Sequence, residues 1–227
     1  MSFKEFTSEL NGKRVEGELI KTFFYSIITA FITIIVLYLI KLKDVENFIP
    51  KYGLVILLSS LSYAIISLTI RQVRAYKELP CMAGMMVGMT VGMISGFLPG
   101  FYIASTNGMF IGSVWGMTIG IIFGIWNGKC CGIMGIMEGT MAGFMGGLMG
   151  AMTAFMLLND NLKIASIIIF IISSFIIFSL NYMIYKEMRE SRTQSEEDNF
   201  ITIFITFILT IITTWIIVYG PRSGVFS

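Results

Sequence analysis

Apolar stretches of about 20 residues, the length a helix needs to cross a bilayer core, alternate with short polar breaks along the chain. Seven such stretches fall at about 22–40, 50–70, 81–104, 108–127, 131–157, 164–185 and 200–219. The opening segment MSFKEFTSELNGKRVEGELI is polar and charged, and so is KEMRESRTQSEEDN from Lys186. Isoleucine runs such as IIIFIISSFIIF favour strand in water. In lipid the backbone must satisfy its own hydrogen bonds, so an isolated run of this length reads as helix. The pattern predicts an all-α, polytopic integral membrane protein with about seven transmembrane helices.

Composition agrees. Of 227 residues, 56% are apolar and 13% charged, against about 25% charged in an ordinary soluble domain. Mean hydropathy is +0.81. The polar first twenty residues lack the apolar stretch of a cleavable signal peptide. A net charge of +2 argues against a nucleic-acid partner. Histidine is absent, which removes the commonest zinc ligand and the commonest proton-transfer group. Three cysteines, two of them adjacent, do not make a disulfide framework. No Walker, Rossmann, HExxH or serine-elbow pattern occurs, so an enzyme is not expected.

The stretches differ in kind. Residues 81–157 hold 18 of the 23 glycines and 14 of the 17 methionines. This predicts a Gly/Met-rich core of three helices with two conventional helices on each side, at 22–70 and 164–219. Residues 1–21 read as a polar cytoplasmic segment and 186–199 as a cytoplasmic loop. With seven spans, eleven Lys and Arg fall on the N-terminal side of the membrane and five on the other. The positive-inside rule then places the N-terminus in the cytoplasm and the C-terminus outside a cell membrane.

Within the core, glycine recurs every fourth position: Gly84, Gly88, Gly92, Gly96 and Gly100, then Gly108, Gly112, Gly116, Gly120, Gly124 and Gly128. Gly132, Gly135, Gly139, Gly143, Gly147 and Gly150 follow. Small residues at this spacing flatten one helix face and let backbones approach. A step of four residues advances about 40° around a helix, so the row from Gly108 to Gly128 winds about 200°. The fourth span is therefore expected to be central, gripped by the third and fifth. The straighter row of the fifth is expected to face mainly one partner.

On a helical wheel, Cys131, Met134, Glu138, Met141, Met145, Met149, Met152 and Met156 fall within an arc of about 80°. The glycines of that helix centre about 140° away. Met85, Met89 and Met93 form a shorter ladder one turn beyond Cys81. Cys81, Cys130 and Cys131 all open their helices from one side of the membrane. Thioethers and thiolates without imidazole are a ligand set for Cu(I). Glu138 is an ionisable group inside a span, and such groups mark function. Met is equally a filler of the irregular gaps that glycine leaves.

Met85-x-x-x-Met89 beside GxxxG rows resembles the eukaryotic high-affinity copper transporters, where an MxxxM helix and a GxxxG helix line a trimeric Cu(I) pore. The resemblance implies Met85 and Met89 as pore ligands. Those proteins have three spans and a Met-rich outer domain, whereas this chain has seven predicted spans and no such domain. The pair Cys130-Cys131 is similar to the paired thiols of bacterial mercury-uptake membrane proteins, which sit within a span. Each likeness covers a few helical turns. Three readings follow: a Cu(I)-type soft-metal transporter, a small-solute transporter with Glu138 as proton-coupling group, and a non-transporting assembly subunit. In the last, glycine-zipper helices bind a membrane partner or further copies of the chain.

Overall fold

The structure is a computed structural model that describes residues 15–40, 52–76, 80–187 and 199–221. The described residues form seven α-helices: α1 (Val15–Ile40), α2 (Leu54–Ala75), α3 (Cys81–Asn107), α4 (Met109–Gly128), α5 (Gly132–Met156), α6 (Leu162–Glu187) and α7 (Asn199–Tyr219). A three-residue 3₁₀ turn, Lys129–Cys131, joins α4 to α5. Most of the polar N-terminal segment and of the 186–199 loop lies outside the described residues.

Among the described residues, five apolar helical stretches are long enough to cross a bilayer: Lys21–Leu39, Leu54–Ala75, Cys81–Asn107, Met109–Met156 and Leu162–Glu187. The fourth is 48 residues long and contains both α4 and α5 with their turn. The apolar stretch of α7, Ile203–Tyr219, is shorter. The chain is thus an all-helical protein of membrane-spanning character. α2 runs beyond the apolar stretch read from the sequence, to Ala75, and carries Arg71 and Gln72 into the interior.

The glycine rows of α3, α4 and α5 mesh in layers. A Cβ on Gly92 would lie 2.9 Å from the Gly139 carbonyl oxygen and 3.0 Å from Gly124 Cα. One turn along, a Cβ on Gly120 would lie 2.8 Å from Gly143 O and 2.9 Å from Gly96 Cα. One turn further, a Cβ on Gly116 would lie 2.8 Å from Gly100 Cα and 3.0 Å from Gly147 Cα. Each layer is a triplet with one glycine from each helix. α3 and α5 run parallel in direct contact, and α4 runs antiparallel against both. Gly88 against Gly128 and Gly112 against Gly100 extend the α3–α4 contact at its two ends. Without side chains between them the backbones gain van der Waals contact directly, which is the main attraction between helices in lipid.

α4 is gripped by α3 and α5 as expected, but it is not the centre of the whole bundle, and α5 has two partners rather than one. α3, not α4, is the hub: it packs against α4 and α5 through its glycine row and against α2, α6 and α7 on its opposite face. That opposite face carries Ala83, Val87, Val91, Ile94, Leu98 and Phe101, all buried. α5 also does not face one partner. Gly139, Gly143 and Gly147 meet α4, while Gly146 and Gly150 meet the carbonyls of Met93 and Phe97 on α3. The two helices before the glycine-rich region and the two after it pack together. α2, α6 and α7 meet α3, α1 packs on α2 and α7, and α5 makes no substantial contact with any of the four.

Gly108 does not belong to the packing row. It links α3 to α4 with φ 111° and ψ 164°, a region essentially reserved to glycine, and so turns one helix back on the other in a single residue. Gly132, at φ 68° and ψ −149°, does the same between the 3₁₀ turn and α5.

Candidate functional site

The thiol cluster forms where α3 begins and α4 ends. Parallel packing of α3 and α5 brings Cys81 beside Cys131, and the two are joined as a disulfide with Cα atoms 4.9 Å apart. In this form neither is a thiolate ligand. Cys130 is the free cysteine and is exposed. Its thiol donates to the Asn127 carbonyl at 3.4 Å. A Cβ on Gly84 would lie 2.7 Å from Cys130 Sγ, so the missing side chain at position 84 makes the seat for that sulfur. Gly84 therefore differs from Gly88, Gly92, Gly96 and Gly100, whose nearest neighbours are backbone.

The methionines face outward. On α5, Met141 is 58% exposed, Met145 50% and Met149 51%, and Met134, Met152 and Met156 are exposed with them. On α3, Met89 and Met93 are exposed and Met85 is half-buried. Because α5 touches α3 at Met93 and Phe97, the exposed methionines of α3 lie on the flank next to α5. Glu138 sits half-buried on this outer face, one and a half to two turns in from Cys131. Among the described residues it has no ion-pair or hydrogen-bond partner. No group of three His, Cys, Asp or Glu among the described residues is arranged to hold a metal ion. The helix-packing glycines Gly112, Gly116, Gly120, Gly124, Gly139, Gly143 and Gly147 are all buried.

A second polar feature escaped the sequence reading. The buried face of α2 carries Ser59, Ser62, Ser67, Thr69, Arg71 and Gln72. Ser67 Oγ lies 3.2 Å from Ser26 Oγ of α1, and the Ser62 hydroxyl donates to Tyr102 Oη of α3 at 3.4 Å. Gln72 Nε2 donates to the Asn181 carbonyl of α6 at 3.1 Å. The hydroxyl of Tyr63 faces Thr213 and the Trp115 indole without a hydrogen bond of normal geometry. Thr210, Thr213 and Thr214 of α7 back-bond to their own helix. The signal was present in SSLSYAIISLTIRQVR, whose hydroxyls and Gln72 interrupt the apolar run. At the end of the bundle where α2 and α4 finish, Arg74 Cζ stands 5.6 Å from the centre of the Trp126 ring and ties α2 to α4. At the other end an open groove of about 540 Å³ is lined by Asn107, Gly108, Phe110, Ser113, Phe155 and Pro221.

Fold and surface together define an all-helical protein whose apolar helices suit a lipid bilayer. No family model, no curated protein and no solved structure matches the chain.

Proposed function

We propose that the chain is an assembly subunit of a membrane complex, in which the glycine-packed α3–α4–α5 body presents the methionine face of α5 and α3 to another membrane-spanning surface. The observation that carries this reading is the uncovered face itself: Met134, Met141, Met145, Met149, Met152 and Glu138 lie along one side of α5, and none of the described helices covers them. Ordinary lipid-facing surface looks different in this molecule. On α6 it is Ile167, Ile168, Ile171, Ile172 and Phe175, and on α1 it is Ile28, Ile32 and Ile35. Unbranched thioether side chains adapt to a partner's shape better than branched ones do. An ionisable group within a span faces protein or water rather than lipid tails, because its burial in hydrocarbon is costly. A photo-crosslinking residue at Met145 is expected to give a discrete protein adduct in native membranes, with the same residue at Phe175 giving lipid adducts alone. Lipid adducts alone at both positions overturn the reading. The mass of the Met145 adduct distinguishes a second copy from a different partner.

Soft-metal transport is a second reading, supported by the meeting of Cys81, Cys130 and Cys131 at one end of the methionine face. Because the stripe points away from the bundle, a Cu(I) path through Met85, Met89, Met93, Met141, Met145 and Met149 requires a second surface to close it. Cells producing the protein would then accumulate more silver than cells producing the Met145→Leu/Met149→Leu variant. Equal accumulation removes this reading. A proton-coupled role for Glu138 in solute transport needs the same closure, since Glu138 does not face the interior of the bundle.

A further inference from the structure

We infer that Cys81, Cys130 and Cys131 form a thiol–disulfide exchange site, in which Cys130 replaces Cys131 as the partner of Cys81. The inference is independent of what covers the methionine face. Three observations carry it. The Cys81–Cys131 disulfide ties the start of α3 to the turn before α5. The neighbouring Cys130 is a free and exposed thiol. Its sulfur rests on Gly84, three residues and hence about one helical turn beyond Cys81 on the same helix. Cys81 therefore has a bonded partner, and a free thiol rests about one turn along its own helix.

The turn that carries both partners is suited to the change. Lys129–Cys131 is a single 3₁₀ turn ending at Gly132, whose surroundings are open: nothing lies within 4 Å of a Cβ built there. A small rotation of this turn is not opposed by packing at that end.

The step conserves atoms and electrons. Cys130 loses its proton to water, and its thiolate attacks Cys81 Sγ. The Cys130–Cys81 bond forms as the Cys81–Cys131 bond breaks, and Cys131 leaves as a thiolate that takes up a proton. One disulfide and one thiol are present before and after, so the rearrangement needs no oxidant or reductant. In a reducing compartment a dithiol completes a second route. It attacks the disulfide, becomes a cyclic disulfide itself and leaves Cys81 and Cys131 as thiols. Disulfides in such compartments are characteristically transient and redox-sensing.

Gly84 sets the balance between the two pairings. A methyl group at position 84 displaces Cys130 Sγ and leaves the Cys81–Cys131 bond in place, because Cys131 Cβ lies 3.6 Å from that point.

The test uses the full chain in lipid nanodiscs, equilibrated with mixtures of oxidised and reduced dithiothreitol, quenched in acid, alkylated and mapped by mass spectrometry. In the Cys131→Ser variant, Cys81 and Cys130 are expected to form a disulfide. Adding Gly84→Ala is expected to shift that equilibrium toward the thiols by about tenfold or more, since a misplaced sulfur strains the bond. In the Cys130→Ser background, Gly84→Ala should leave the Cys81–Cys131 equilibrium unchanged. Tandem fragmentation of the unmutated protein should locate a Cys81–Cys130 pair beside the Cys81–Cys131 pair, a readout that does not depend on any variant folding. A Cys131→Ser protein whose two thiols stay fully alkylatable in every mixture, or an unmutated protein with Cys81 paired to Cys131 alone, overturns the proposal.

Discussion

A Cβ on Gly116 would lie 2.7 Å from the carbonyl oxygen of Gly96. Real Cβ atoms essentially never approach so closely, and the neighbour here is backbone that cannot swing away. Gly116→Ala is expected to destabilise the protein by about 1–3 kcal/mol, and Gly116→Leu by more, as overpacking does where the surroundings cannot yield. Reversible unfolding in detergent micelles measures both. A Gly116→Leu protein with unchanged stability would mean that α4 does not pack by backbone contact.

Gly132 provides the complementary case. No atom stands near its absent side chain, yet its backbone lies in a region that side chains do not adopt. Gly132→Ala is expected to cost about 1–3 kcal/mol through conformation alone. Asparagine, which tolerates the left-handed helical region but not this one, should cost as much. A neutral Gly132→Ala variant in the same unfolding assay would show that the turn does not hold this conformation.

The double substitution Met145→Leu/Met149→Leu should leave the isolated protein nearly as stable as before, within about 1.5 kcal/mol, because volume is kept and both side chains face out of the bundle. Thermal unfolding in detergent is the measurement. A larger loss would place these side chains inside the fold. The same variant in membranes then reports on the partner surface without the complication of misfolding.

Reporter fusions after Glu190 and at the C-terminus should report cytoplasm and exterior respectively. The argument is the eleven-to-five division of Lys and Arg across the breaks between apolar stretches. Both reporters on the same side would leave the division without a topological meaning.

Most helices were legible because apolar character marks their extent, and the rows of glycine announced backbone contact. Which helix became the hub was not legible. The row in α3 winds in the same manner as that in α4, and wheel geometry alone cannot tell that Val87, Val91 and Leu98 lie on the face that meets three further helices while Val114 and Ile122 of α4 remain exposed. The joining of Cys81 to Cys131 depends on α3 and α5 running parallel at one fixed register, which no spacing within either helix encodes. Arg71 misled for a simple reason. A charge following an apolar run reads as the membrane boundary, yet α2 continues past it, and Gln72 anchors to the Asn181 carbonyl across the α2–α6 contact. Gly108 keeps the four-residue beat of the row, yet its backbone makes the turn instead.

The triplets Gly92–Gly124–Gly139, Gly96–Gly120–Gly143 and Gly100–Gly116–Gly147 also act as a mechanical key. Sliding one helix along another by a single residue, about 1.5 Å, would drive side chains such as Met117 or Ile121 into places where only a hydrogen atom fits. The next position that meshes lies a full four residues away, about 6 Å, which the one-residue hairpin at Gly108 cannot supply. Piston movement inside this trio is thus forbidden in both directions. The trio is therefore locked in register, whereas the contacts of α1, α2 and α7 are lined with serine and threonine hydroxyls, such as Ser26 against Ser67, and carry no such key.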